Sequence, residues 1–386
     1  MLEVQRNPLL LTDLATPRLL LDVVRMSRNI ARLRAHLDAL GVPLRPHLKT
    51  VKSIRAAHRV MIRPEGPAAV STLLEAEQFG AAGVRDILYA VGATPNKLAR
   101  IAAIRSRGIN LSIVIDSVAA AEAVAAKSRE IGAGIPTLIE IDCDGHRAGV
   151  SSDDLAQLVA IGGALHRGGA ELRGIMTHAG ESYSCVGAAA IEAMAEQERA
   201  GAVACAQALR QAGLPAPVVS VGSTPTAFFA RNLEGVTEVR AGVFPFFDLF
   251  MTGLGVCNRD DVALSVLTTV IGHQRERGWI LVDAGWMALS RDRGTAKQVV
   301  DQGYGLACDL AGRHYPDLVM VDAHQEQGVL AIRPGSSAEL PDLAVGDMLR
   351  ILPNHACATG AQHEEYVVVE SDSDQVRAIW PRFRGW

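Results

Sequence analysis

The sequence predicts an α/β protein whose main body is a parallel (β/α)8 barrel, followed by a second, mainly β domain. Three observations carry this expectation. From about residue 18 to residue 245, short β-rich apolar runs alternate with Ala-, Leu- and Arg-rich stretches of helical period. Runs such as LSIVI and TLIEID are apolar along their whole length, the pattern of strands covered by helices on both sides. After Asp248 the texture changes to alternating or β-branched runs punctuated by Gly, Pro and Asp.

The first run, Arg18–Val23, precedes a helical stretch around Met26–Leu40 and is assigned to a sheet other than the barrel's. Barrel strands are expected at Val42–Pro46, Ala68–Ser71, Asp86–Ala90, Leu111–Ile115, Thr137–Asp142, Leu172–Thr177, Val218–Val221 and Glu238–Gly242. An eight-stranded closure is the economical topology for this alternation, with an open doubly wound sheet as its competitor. In the second domain LSVLTTVIGHQ, GWILVDAG, GVLAIRP, DMLRILPN and EYVVVE read as strands, and Arg333–Asp342 reads as a loop.

Composition narrows the function classes. At 386 residues, 49% hydrophobic and 21% charged, the chain can bury a sizeable core and is not of disordered type. A net charge of −4, mixed along the sequence, offers no basic stripe for nucleic acid and no polybasic cluster for a membrane. The first residues lack the apolar core of a signal peptide, and no run approaches the roughly 18 apolar residues of a spanning helix. Six cysteines without a CxxC pair suit reduced thiols in the cytoplasm.

Several segments can carry chemistry. RPHLKTVKS places Lys49 directly after the first barrel strand, at the end where parallel barrels keep catalytic groups. Its neighbours Arg45, His47 and Lys52 are expected to favour the neutral amine that Schiff-base formation requires. VVSVGSTPT runs a strand into Gly222, Ser223 and Thr224 and then a helix, a phosphate cradle if it is more than an ordinary capped helix start. RAGVFPFFD brings Gly242 to the same rim, and loops after the seventh and eighth strands are a recurrent phosphate site in barrels.

In LPNHACATG, His355 and Cys357 stand at i and i+2, which point the same way on an extended chain. Imidazole and thiolate suit zinc or a similar ion; a buried Cys beside a hydrogen-bonded His is the plain alternative. EIDCDGHRAGV and THAGESY end strands at the rim and offer Arg147, His178 and Tyr183. Asp283 is a further candidate from the second domain, with turn capping as its ordinary role.

These segments, with TPRLLLD, VSTLLEAEQF, DILYAV, TEVRAGVFPFFD and VDAGWMALSRDRGTA, resemble the fold-type III pyridoxal-phosphate enzymes of the D-serine dehydratase and D-threonine aldolase group. The resemblance runs nearly end to end. It implies an alanine-racemase-type barrel at residues 24–249 and a β-domain of residues 1–23 and 250–386. It further implies a head-to-tail homodimer with active sites at the interface.

The same resemblance makes Lys49 the Schiff-base lysine and gives the cofactor phosphate to Gly222, Ser223, Thr224, Gly242 and Val243. Arg147 would approach the ring's phenolic oxygen, and His178 and Tyr183 would line the pocket. His355 and Cys357 match the family's metal pair, for zinc, manganese, magnesium or cobalt; the aldolases tend to carry Asp in place of the Cys. One departure is Glu326-Gln327-Gly328, where the family often has Glu-His-Gly. The implied activity is elimination of water from a D-3-hydroxy amino acid such as D-threo-3-hydroxyaspartate, giving a 2-oxo acid and ammonia. Retro-aldol cleavage to glycine and an aldehyde, and dehydration of D-serine, are the alternatives.

Overall fold

The computed structural model describes residues 9–145 and 148–386. The chain divides into two compact units, one formed by the chain up to Ile30 with Val243–Arg384, the other by Ala31–Gly242 with Gly385–Trp386. β1 (Arg18–Asp22) belongs to the first unit's sheet, as expected, and leads straight into α1 (Val23–Ala39). Asp22 caps that junction through hydrogen bonds from the Val24 and Arg25 amides, so the helix begins at Val23 rather than Met26.

The second unit is the barrel. Its strands are β2 (Leu44–Pro46), β3 (Ala68–Val70), β4 (Asp86–Gly92), β5 (Asn110–Ile115), β6 (Pro136–Asp142) with the two-residue β7 (Val150–Ser151) paired to it, β8 (Glu171–Thr177), β9 (Val218–Val221) and β10 (Glu238–Ala241). Apart from β7 they form a parallel series ordered β2-β10-β9-β8-β6-β5-β4-β3. The ends of the series meet where His47 bridges Ala69: the His47 amide donates to Ala241 O and the Leu48 amide to Ala69 O, both at 2.8 Å. This bridge rules out the open sheet.

The helices of this unit are α2 (Ile54–Val60), α3 (Leu73–Ala81), α4 (Leu98–Arg105), α5 (Val118–Glu130), α6 (Leu155–Arg167), α7 (Ala188–Gln211) and α8 (Thr224–Phe229). Thr72, Ser117, Asp154 and Ser223 cap α3, α5, α6 and α8 with side-chain oxygens, which stops each preceding loop within a few residues of its strand or turn.

One arc of the barrel wall is apolar, with Ala69, Leu88, Val114, Leu138 and Met176 packed together. The arc made by β2, β9 and β10 is polar. Arg45 Nε donates to both oxygens of Glu238 at 2.9 and 2.8 Å, and its Nη1 donates to Asp86 at 2.9 Å and to Ala68 O at 3.2 Å. Ser220 Oγ donates to Glu238 at 2.7 Å and accepts from the buried Arg240 at 3.1 Å.

In the first unit, α9 (Leu249–Gly253) precedes β11 (Leu264–Gln274) and β12 (Trp279–Val282). After α10 (Trp286–Leu289) come β13 (Leu306–Cys308), β14 (His314–Ala323), β15 (Gly328–Ile332) and β16 (Met348–Leu352). α11 (Ala356–Gly360), β17 (Glu365–Val369) and β18 (Ala378–Pro381) complete it. The order β12-β15-β14-β13-β16-β11, closed by a β11–β12 pairing, makes a small antiparallel barrel, with β1, β17 and β18 continuing from β11. Leu11, Leu20, Leu267, Val367 and Val369 form a buried cluster within this unit.

β13, β14 and β18 add to the strands expected from the sequence, and the segment around Arg333–Asp342 is a loop. No helix among the described residues is long and apolar enough to cross a membrane.

Removing one member of a buried ion-pair network leaves its partners uncompensated, at a cost of roughly 3 kcal/mol or more. Arg45→Met is therefore expected to lower the urea midpoint of the barrel by an amount equivalent to about 3 kcal/mol. A change below about 1 kcal/mol would show that the polar arc does not hold the closure.

Candidate active site

Lys49 sits on the turn after β2, exposed, two residues beyond the bridge that closes the barrel. Its neighbours are not the cationic set expected from the sequence. Arg45 is bound to Glu238 and Asp86, and Lys52 Nζ pairs with the buried Glu75 at 3.2 Å. Burial holds the His47 imidazole well below its ordinary pKa, helped by Lys49, Arg240 and His178, so it is neutral. His47 Nε2 meets Ser71 Oγ at 3.3 Å, and the Ser71 amide donates to Glu75 at 2.8 Å. Glu75 thus contacts residues that follow β2 and β3, on either side of the joint, and Lys52 has a left-handed φ of 41°.

A second cluster lies at the ends of β8, β9 and β10. Gly222 has φ 130°, and a Cβ there would lie 2.1 Å from Arg240 O, so only glycine fits this turn. Ser223 caps α8, accepting from the Thr226 amide at 3.2 Å, and meets Ser182 Oγ at 2.8 Å. The Gly242 amide makes a long 3.3 Å contact to Thr224 Oγ1. His178 Nδ1 donates to Gly222 O at 2.9 Å, and the Tyr183 ring stands 6.2 Å from the His178 ring. The structure therefore brings His178, Tyr183, Gly222, Ser223, Thr224 and Gly242 to one rim. Arg147 lies outside the described residues, and Val243 begins the other unit's segment.

Glu198, which sequence reasoning did not single out, organises this cluster. It is buried on α7, where one carboxylate oxygen accepts from the Ala179 and Gly222 amides at 3.0 and 2.9 Å and the other from Thr226 Oγ1 at 2.8 Å. Burial pushes its pKa up while these donors and Arg240 pull it down. A signal was present: Ile191, Ala195, Glu198, Ala202, Cys205 and Leu209 form the buried stripe of α7, and one member is charged.

The Gly222 amide is consequently held by Glu198 and the Ser223 amide by Thr226 Oγ1. The hydroxyls of Ser223 and Thr224 lie at the same turn as the Gly242 amide, whose contact to Thr224 Oγ1 is long, and these are the polar groups there that could meet an anionic group.

In the other unit, His355 and Cys357 do come together, through a geometry different from the expected extended alternation. His355 is the extended N-cap residue of α11 and Cys357 lies in that helix's first turn. The imidazole hydrogen-bonds both Cys357 and Asp292, the latter from Nδ1 to Oδ2 at 2.6 Å. Asp248 Oδ2 accepts the amide of the intervening Ala356 at 2.9 Å. Burial opposes charge on His355, but Asp292, Cys357 and Asp248 outweigh it and raise the imidazole to about 11.

The carboxylates of Asp292 and Asp248 make the surroundings of His355 negative, and imidazole with thiolate suits a borderline divalent ion. The pair supplies two donors, and among the described residues no group of three or more His, Cys, Asp or Glu side chains is arranged to hold a metal ion. Asp283 accepts hydrogen bonds from Thr16, Thr268 and the Thr269 amide, a structural set. Gln327 lies in the β14–β15 turn, whose backbone packs on Gly285.

Residues 21–249 match the alanine racemase N-terminal domain and residues 263–369 a putative serine dehydratase domain. The chain is 55% identical over 380 residues to the D-threo-3-hydroxyaspartate dehydratase of Delftia sp., covering 97% of this chain and 99% of that one. The chain belongs to the dehydratase family of the alanine-racemase fold.

Within that family it is also 29% identical to the D-serine dehydratase of Dictyostelium discoideum, over 96% of this chain and 97% of that one. The solved structure of the dehydratase from Delftia sp. HT23 superposes with a TM-score of 0.93 at 54% identity, covering 98% and 100% of the two chains. A cysteine-to-alanine variant of that enzyme, described in a metal-free form, superposes with a TM-score of 0.94 over the same shares.

Glu198→Ala leaves two buried amides and a hydroxyl without their acceptor, at about 1–3 kcal/mol for each. The expected result is a loss of at least about 3 kcal/mol in urea unfolding, with Glu198→Gln milder because one acceptor oxygen remains. Equal stability of Glu198→Ala and wild type would contradict this role.

Proposed function

We propose that the chain is a pyridoxal-phosphate- and divalent-metal-dependent dehydratase that converts D-threo-3-hydroxyaspartate to oxaloacetate and ammonia. The observation that carries this reading is 55% identity to a dehydratase for that substrate over essentially the whole of both chains. When bound, the cofactor supplies an electron sink for the carbanion at Cα and the metal a Lewis acid for the departing 3-hydroxyl.

The chain's own residues then have defined tasks. Lys49 Nζ anchors the cofactor covalently and, once released, takes the proton from Cα. His47, neutral, and Arg45 and Lys52, paired with carboxylates, leave that amine without an uncompensated cationic neighbour in the same loop. Ser223, Thr224, Gly222, Gly242 and Val243 hold the phosphate, with Glu198 fixing the turn. His178, oriented through Nδ1 by Gly222 O, and Tyr183 line the ring's pocket, and Arg147 meets its phenolic oxygen.

His355 and Cys357 hold the metal, for which zinc is the first expectation from the donor set. Support comes from the metal-free form described for the relative's cysteine variant. Residues 24–249 are assigned to the cofactor and residues 1–23 with 250–386 to the metal. The working unit on this reading is a cytoplasmic homodimer, which the alanine-racemase fold and the absence of disulfides among the six cysteines support.

Full-length similarity to a D-serine dehydratase favours D-serine, yielding pyruvate, as a second substrate.

Lys49→Ala is expected to lose the visible absorption of the lysine-bound cofactor and about 10²–10⁴-fold or more of turnover. Retention of that absorption after dialysis would remove Lys49 from its role. Chelation followed by dialysis is expected to abolish activity, leave the cofactor absorption in place, and be reversed by added divalent metal. Full activity in protein shown by elemental analysis to be metal-free would exclude His355 and Cys357 from the reaction.

A further inference from the structure

We propose that Asp292 is a positioning residue for the metal pair: it fixes the ring orientation and tautomer of His355 so that Nε2 is the nitrogen presented to the ion. This rests on the metal reading given above. A metal-ligating histidine is oriented by what its other ring nitrogen contacts, and here that contact is a carboxylate at 2.6 Å. With Asp292 accepting from Nδ1, the imidazole that gives up one proton keeps the other on Nδ1 and has its lone pair on Nε2. The carboxylate also adds a negative charge beside the cation without taking up a ligand position.

Asp292 is itself held in place. Its Oδ1 accepts the Gly294 amide at 2.8 Å, and its backbone amide donates to Ser290 Oγ at 3.2 Å. A Cβ at Gly294 would lie 3.1 Å from Asp292 Oδ1 and 3.0 Å from the Phe250 ring, so a glycine lets the amide come this close. The residue before His355, the buried Asn354, ties the two segments together: its Nδ2 donates to Gly303 O at 2.6 Å and to Asp292 O at 3.3 Å. Thr295 Oγ1 donates to Asn354 Oδ1 at 3.2 Å. The segment carrying Asp292 and the strand end carrying His355 are thus cross-linked at backbone and side chain alike.

Asp248 does a different job nearby, fixing the Ala356 amide and so the peptide between the two ligands. Of these two carboxylates, the one hydrogen-bonded to the ring is Asp292.

The test uses cofactor-loaded protein stripped of metal by chelator and titrated with Zn2+ against a chromophoric competitor. Wild type, Asp292→Asn, Asp292→Ala, His355→Ala and Cys357→Ala are compared. Loss of an orienting partner of this kind weakens metal affinity about 10–100-fold, and Asp292→Ala is expected to fall in that range. Asp292→Asn, which keeps an acceptor oxygen and loses the charge, is expected to lose less and serves as the measurement if the alanine variant does not fold. Cofactor absorption of the metal-free protein should match wild type.

Zn2+ affinity within threefold of wild type in both Asp292 variants, while His355→Ala abolishes binding, would overturn the proposal. So would loss of Zn2+ as complete as in His355→Ala, which would make Asp292 a ligand, or loss of cofactor in step with metal. If wild type binds no Zn2+, or His355→Ala binds it normally, the metal reading fails and this inference falls with it.

Discussion

Closure of the barrel at β2 is the constraint on which the catalytic side of the structure depends. β2 is three residues long and must hydrogen-bond β10 on one side while meeting β3 on the other through a single bridge at His47. So short a joint has little backbone pairing to hold it. The side chains around it supply the rest: Arg45 reaches Glu238 on β10, Asp86 on β4 and the Ala68 carbonyl on β3. Parallel strands deliver their C-terminal ends to one rim, so a joint fixed at this register sets where Lys49 emerges relative to Ser71, Gly222 and Gly242.

Carboxylates do the remaining positioning, in three versions of one physical device. A buried carboxylate is costly unless donors surround it, and a site that supplies those donors becomes rigid in return. Glu198 gathers two amides and a hydroxyl under the Gly222 turn; Asp248 gathers the Met251 and Ala356 amides; Asp292 gathers the Gly294 amide and His355. Glu198 and Asp248 touch backbone at a turn or helix start that carries a proposed ligand, and Asp292 touches the ring of one directly. The negative charge around His355 has a second effect, since a field that raises an imidazole to about 11 also draws a cation.

Most barrel strands were legible as apolar runs, whereas β2 and β10, which carry Arg45, Glu238 and Arg240, were legible from their place in the alternation of strands and helices. β13 and β14 were not. β13 spans only three residues, and β14 opens with His314, Tyr315, Pro316 and Asp317, a sequence that reads as a turn until its pairing with β15 is known. The His355–Cys357 pair was legible as a pair but not in geometry, because the extended alternation read from the sequence stops at His355, the extended N-cap of the helix that carries Cys357. Asp292 was unreadable for another reason: it meets His355 across 63 residues, with no spacing rule to connect them. Glu198 lay between these cases, visible as the one charge on an apolar helical stripe.

On the proposed function, the reaction expels hydroxide from Cβ and leaves the Cα–Cβ bond intact. The direct measurement is a full product balance from one reaction with D-threo-3-hydroxyaspartate. Ammonia and oxaloacetate formed in equal amounts with substrate loss, and little glycine or glyoxylate, is the result expected here. Glycine appearing in step with substrate loss and without ammonia would make the protein an aldolase and contradict the account.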